Sequence, residues 1–240
     1  MTAISFLRHN SFFGPEDAQG VTLNIIGVGA TGSWVGLLAA KMGWHNFRIW
    51  DPDVVESHNC PNQAYDIGFV GTKKVDAFKQ TLKAFNPHIL VEKYDCYFES
   101  EKHNKLLDGP VFVAVDSLLA RKDIFSNISC HPDVDIIFET SMGFTHATLN
   151  VFDTWDVDRI NSYLANIKTD EEVAESACNA RIITTLTNIV ASNLVHILCD
   201  YYSSSRRNTS FNFKQKYVYS LTNTLQVYNL TEICKSTPSN

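Results

Sequence analysis

A chain of 240 residues with 45% apolar composition can bury one large α/β core and demands no second domain. A formal charge of -6 and a pI near 5.7, with basic residues scattered apart from the Arg206-Arg207 pair, exclude a nucleic-acid surface as the main partner. No stretch is apolar for long enough to span a bilayer, so the expectation is a cytoplasmic protein with no membrane partner.

Residues 1–20 read as a short arm ending in the turn-rich Gly14-Pro15-Glu16-Asp17-Ala18-Gln19-Gly20, and residues 21–240 as one domain. Residues 21–28 form an apolar strand that runs into Gly27-Val28-Gly29-Ala30-Thr31-Gly32-Ser33. Gly27 and Gly29 allow a tight turn, and Gly32 lets the following helix pack down on its strand, so the helix N-terminus can receive a phosphate. Alone, this turn matches many dinucleotide enzymes, some ATP enzymes and a fair number of chance turns, with a dinucleotide the commonest case.

The helix runs to Met42 and stops at Gly43, and residues 45–50 make a second strand ending on Asp51-Pro52-Asp53. An acidic residue about 20 residues beyond the glycines is where a Rossmann-type fold places a carboxylate on ribose hydroxyls. After an irregular segment, a helix leads to Asn86-Pro87 with Val75, Phe78, Leu82 and Phe85 on one face. Residues 89–98 are a strand and 100–107 a short helix. Val111-Phe112-Val113-Ala114-Val115 is a buried strand that again ends on an aspartate, Asp116. Residues 118–128 are helical and 135–140 return to the sheet, so strand after helix after strand predicts a Rossmann-like, doubly wound, mostly parallel sheet.

From residue 145 to 155 the pattern alternates, with Ala147, Leu149 and Val151 against Thr148 and Asn150, which predicts an added antiparallel strand. Residues 155–178 read as a surface helix and mobile crossover loop, and 181–202 as a long helix. Residues 211–230 form a closing hairpin, a C-terminal antiparallel extension of the sheet. The six cysteines (Cys60, Cys96, Cys130, Cys178, Cys199, Cys234) stand singly with no CxxC pair, which fits reduced thiols better than disulfides or a four-cysteine zinc site.

Four elements in order narrow this: the glycine turn with Ser33, then Asp51-Pro52-Asp53-Val54-Val55, then Asn59-Cys60-Pro61-Asn62-Gln63, then Gly71-Thr72-Lys73-Lys74. Together they resemble the ThiF/MoeB/HesA family of ubiquitin-activating-like adenylyltransferases, and the similarity continues through Asn86-Pro87, Asp116 and Arg121. The resemblance implies ATP and Mg²⁺ as cofactors. It implies a nucleotide held by Gly27, Gly29, Thr31, Gly32, Ser33, Asp51, Asp53, Asn59, Asn62, Gln63, Lys74, Asp116 and Arg121, with Asp116 as metal ligand. Lys74 and Asp116 are then the catalytic pair, and Arg8 reaches from a neighbouring protomer of a homodimer. The implied partner is a small ubiquitin-like or sulfur-carrier protein ending in glycines, whose carboxylate is adenylated.

Physical chemistry favours the same set. AMP transfer needs cations, a metal and backbone donors around a polyphosphate, whereas hydride transfer has no need of Lys74 with Asp116. A nicotinamide oxidoreductase therefore rests on the glycines and Asp51 alone. Cys178 lies where relatives place a thiol able to receive the acyl or sulfur group, and a helix N-terminus favours the thiolate.

Two departures stand out. Asn62 occupies the position where the family carries Arg, so one phosphate cation is missing, to be replaced by Arg8, Lys73 or Arg121 or else leaving an inactive scaffold that binds a carrier protein or nucleotide. The paired CxxC motifs of many members are absent, so no zinc is expected.

Overall fold

A computed structural model describes residues 4–167, 184–204, 206–209, 211, 215–221 and 225–230. In chain order these give β1 (Thr22–Ile26), α1 (Ala30–Met42), β2 (Asn46–Trp50), α2 (Lys74–Phe85), β3 (Leu90–Tyr94) and the single turn α3 (Ser100–His103). Then follow β4 (Val111–Val113), α4 (Leu118–Ile128), β5 (Ile136–Met142), β6 (His146–Asp153), α5 (Val157–Asn166), α6 (Thr184–Ser203), β7 (Lys216–Leu221) and β8 (Leu225–Leu230).

The described strands form one sheet in the order β3-β2-β1-β4-β5-β6-β7-β8. The first five of these are parallel, and pairing turns antiparallel from β5 and β6 onward. This is the doubly wound sheet with an antiparallel extension that the alternation of elements predicts. Chain order reverses between β1 and β4, which opens a crevice at the carboxyl ends of the parallel strands.

Period-2 alternation assigns each strand residue to one of two cores. Leu23, Ile25, Phe47, Ile49, Phe112 and Phe138 face α1, α2 and α6. Ile26, Trp50, Val111, Val113 and Ile137 face the opposite layer, where Ile124, Phe125 and Ile128 of α4 and Ile160 of α5 close over them. Strand β6 pairs antiparallel with its neighbours, as its alternation predicts, and is covered on both sides. Ala147, Leu149 and Val151 are buried on one face, and so are Phe152 and Asn150 on the other. Asn150 is tolerated there because its amide donates to Glu139 at 2.7 Å.

The N-terminal segment joins the core earlier than an arm would. Phe13 is fully buried and stacks on Trp44 with ring centroids 5.9 Å apart, and Pro15–Ala18 is a 3-10 turn. The strand expected over residues 89–98 ends at Tyr94, where Tyr94 stacks on Trp50 at 5.1 Å. Among the described residues no helix is long and apolar enough to cross a membrane.

The approach of α1 to β1 sets the geometry of the crevice. A Cβ at Gly32 would lie 2.0 Å from the Gly27 carbonyl oxygen, a backbone atom that cannot yield. Gly32→Ala is therefore expected to destabilise the protein by about 2–3 kcal/mol, the cost of overpacking, read as a shift of the urea unfolding midpoint with unchanged slope.

Candidate functional site

The crevice is a cavity of about 730 Å³, within the usual range of roughly 300–1,000 Å³ for small-molecule sites. Its walls come from the ends of β1, β2, β4 and β5 and from the start of α1 and α2. Of the residues singled out in the sequence it brings together Gly27, Gly29, Thr31, Asp51, Asp53, Asn59, Gln63, Lys74, Asp116 and Arg121.

The glycine turn is held from both sides. Gly27 adopts φ +93° and its N–H donates to the Trp50 carbonyl at 2.8 Å. Val28 N–H donates to Asp51 Oδ2 at 2.9 Å, and the Tyr65 hydroxyl donates to the Val28 carbonyl at 2.7 Å. Burial, together with the Asp51 charge, pushes the Tyr65 phenol well above its ordinary pKa, so it stays a donor. Among the described residues no side chain caps α1, whose first turn opens on the cavity through Ala30 and Thr31. An uncapped N-terminus of a 13-residue helix carries unpaired N–H groups and the positive end of the dipole, which suits an anion. A Cβ at Gly29 would meet no protein atom within 4 Å, so this glycine leaves room on the cavity side.

Asp51 is buried and accepts from two backbone groups, Val28 N–H and, through Oδ1 at 3.0 Å, Asp53 N–H. Burial raises its pKa, against the Lys74 ammonium and the two N–H donors, which lower it. Lys74 opens α2, is itself buried, and contacts Asp53 at 2.7 Å and Asp51 at 3.9 Å. Asn59 Oδ1 accepts Glu56 N–H at 2.9 Å, while the buried Gln63 Oε1 has no partner among the described residues. An orphaned acceptor at the wall matches a donor such as a ribose hydroxyl. Asp116 is exposed at the mouth and accepts its neighbour Ser117 N–H through Oδ1 at 2.9 Å.

Four predicted residues stand elsewhere. Gly32 is used in packing, and Ser33 is fully buried, its hydroxyl accepting Ala64 N–H at 3.0 Å. Asn62 does not line the cavity: its carbonyl accepts Trp34 Nε1–H at 3.0 Å and its Oδ1 accepts the Thr187 hydroxyl of α6 at 3.4 Å. This position ties α1 to α6, so a longer side chain is not what the local packing calls for. Arg8 is exposed beside His9, whose Nε2 lies 3.2 Å from the Met42 carbonyl at the far end of α1. Thirteen residues of helix span about 20 Å, so Arg8 is remote from the cavity of its own chain. Cys178 lies outside the described residues.

Lys73 pairs with Asp95 at 3.4 Å and does not line the cavity. Arg121 does, but its guanidinium is committed to the Val115 carbonyl and to Glu139. Sequence reasoning missed Glu139, Tyr65 and the cavity floor of Thr140, Ser141 and Met142. A carboxylate in the middle of Ile136-Ile137-Phe138-Glu139-Thr140 was the available signal, since a buried acid needs a partner.

A doubly wound sheet with a glycine turn and an uncapped helix over a polar crevice defines a Rossmann-like nucleotide-site protein. The ThiF family's sequence pattern matches residues 13–235, and the chain belongs to the ThiF family. It is 27% identical over 134 residues to ubiquitin-like modifier-activating enzyme 5 of Caenorhabditis elegans, which is 50% of this chain and 32% of that protein. Over 79 residues it is 30% identical to the enzyme of the same name from Oryza sativa subsp. japonica, 33% of this chain and 19% of that one. The matches thus span a third or less of those relatives' length. Among solved structures, PaaA superposes with a TM-score of 0.72 at 19% identity, covering 90% of this chain and 74% of PaaA. E. coli MccB with ATP gives 0.70 at 12% identity, covering 90% and 65% respectively. At these identities the structures share the fold.

Replacing Lys74 by Met removes the cation that opposes burial at Asp51, so the Asp51 carboxyl is expected to titrate still higher, read by ¹³C NMR of the carboxylate. Tyr65→Phe leaves the Val28 carbonyl buried without a partner and should cost about 1–3 kcal/mol in chemical denaturation.

Proposed function

We propose that the protein is an ATP-dependent adenylyltransferase that activates the C-terminal glycine carboxylate of a ubiquitin-like or sulfur-carrier protein. The observation that carries this reading is the convergence of Lys74, Asp51 and Asp116 with the uncapped α1 N-terminus on one cavity in a ThiF-family chain. ATP is the substrate in this reading. Its phosphates fit the α1 N-terminus and Lys74, and its ribose fits Asp51 and the orphaned Gln63 acceptor.

The entering carboxylate oxygen attacks the α-phosphorus, the bond to the β-phosphate bridging oxygen breaks, and pyrophosphate leaves with that electron pair. Lys74 offsets charge on the phosphates, exchanging its own Asp53 contact for them. Among the described residues no group of three or more His, Cys, Asp or Glu could hold a metal. Mg²⁺ is commonly held by one or two carboxylates plus substrate phosphates, and Asp116 fits that manner of binding. Bound there, it would supply charge neutralisation on the phosphate oxygens. A side-chain-free glycine tail suits a narrow path beside the phosphates. A solved structure of E. coli MccB holds MccA, which supports a small carrier or substrate as the partner class. The distance of Arg8 from its own cavity is compatible with service to a second protomer in a homodimer, and Cys178 is the proposed acceptor thiol.

A second reading, a scaffold that binds nucleotide or carrier without turnover, is favoured by one observation. Both described cations of the cavity wall, Lys74 and Arg121, already face acids of the same chain, and Asn62 adds none. ATP–pyrophosphate exchange with candidate carriers separates the two. Adenylation requires exchange that falls about 10²–10³-fold in Lys74→Ala and Asp116→Ala. Tight ATP binding with no exchange under any carrier would leave the scaffold, and undiminished exchange in both variants would sink the assigned roles.

A further inference from the structure

One buried ionic group beneath the cavity is not used in the chemistry above. Glu139 of β5 is 1% exposed; one of its oxygens accepts Arg121 Nη1–H and the other accepts Asn150 Nδ2–H at 2.7 Å. A buried ion pair is weak evidence for stability, because desolvation often exceeds the Coulombic gain and an apolar replacement of similar volume serves as well. Its position suggests another purpose.

The parallel ladder between β1 and β4 ends with Ala114 N–H donating to the Ile26 carbonyl at 2.8 Å. Beyond it the chain enters the cavity mouth as Val115, Asp116 and Ser117 without strand pairing. The Val115 carbonyl there is held by Arg121, whose Nε and Nη2 donate to it at 2.9 and 2.7 Å. The planar fork of a guanidinium can grip one acceptor with two N–H groups while offering a third to a carboxylate; an ammonium cannot reproduce that geometry. Asn150 of β6 pins Glu139 in turn, so the sheet itself sets the orientation of Arg121.

We propose that Glu139 and Arg121 are positioning residues: Arg121, oriented by Glu139, clamps the Val115 carbonyl so that Asp116 is presented to a divalent cation carried in on a polyphosphate. This rests on the adenylyltransferase reading for the identity of the ligand. It assigns Arg121 a role through the backbone that follows β4, at Val115, in place of direct contact with nucleotide, and it makes Glu139 part of the site although Glu139 does not line the cavity.

The test is equilibrium binding of ATP to the full chain, measured with Mg²⁺ and again in EDTA. In the wild type Mg²⁺ should tighten binding. Arg121→Lys keeps a charge opposite Glu139 but loses the fork on Val115, so it should lose roughly tenfold in the Mg²⁺-dependent gain, with affinity in EDTA within about twofold of wild type. Glu139→Gln should move in the same direction; if it does not fold, Arg121→Lys alone decides, with its fold verified by circular dichroism at the assay temperature. A folded Arg121→Lys protein that retains the full Mg²⁺ gain overturns the clamp while leaving the adenylyltransferase reading standing. Equal loss with and without Mg²⁺ also overturns it, because Arg121 would then touch the nucleotide itself. Absence of any Mg²⁺ effect in the wild type removes both.

Discussion

The crevice depends on one short peptide unit, Val28, gripped at both ends. Its N–H is fixed by the buried Asp51 carboxylate and its carbonyl by the Tyr65 hydroxyl. These two bonds connect the glycine turn to the end of β2 and to the loop after it, so the start of α1, the acidic end of β2 and the 59–65 segment are tied together. Ser33 to Ala64 and Trp34 to Asn62 extend the same attachment along α1. Gly27 makes the turn possible through its positive φ, but the turn is held in one place by side chains that are distant in sequence.

Charge inside the site is arranged in self-satisfied pairs. Lys74 meets Asp53 and Asp51, and Arg121 meets Glu139. A cavity lined by unpaired cations would suffer self-repulsion without a ligand, whereas here each cation has an alternative partner to give up or keep. The two pairs differ in burial of the acid. Asp53 has a side chain 57% exposed, so water can solvate it when Lys74 turns to another anion, while Glu139 is buried and cannot release Arg121 without leaving a charge unpaired. That difference separates a cation available to an incoming anion from one committed to holding backbone.

Much of the architecture was legible because it follows from local period and punctuation. The helix over residues 118–128 appears at the expected bounds, and the switch from apolar runs to alternation after residue 145 marks the change from parallel to antiparallel pairing. Asp51, Lys74 and Asp116 could be found since each ends a strand or opens a helix at the carboxyl edge of the sheet, where the fold itself turns side chains toward the crevice. Asn62 and Ser33 could not be placed in the same way. Both belong to an ordered motif, yet their directions are set by Thr187 of α6 and by Ala64, contacts that no spacing within the motif encodes.

The sequence by itself determined the class of fold, the glycine turn, the strand-end acids and the family, because hydrophobic period, turn chemistry and motif order are local properties of the chain. Tertiary structure alone decided which motif residues reach the cavity, that Arg8 lies by the far end of α1 and away from the cavity of its own chain, and that Arg121 is tied to Glu139. Those outcomes depend on the register of β4, β5 and β6 and on how α6 docks against α1, which are set by long-range packing and by the need to pair every buried charge.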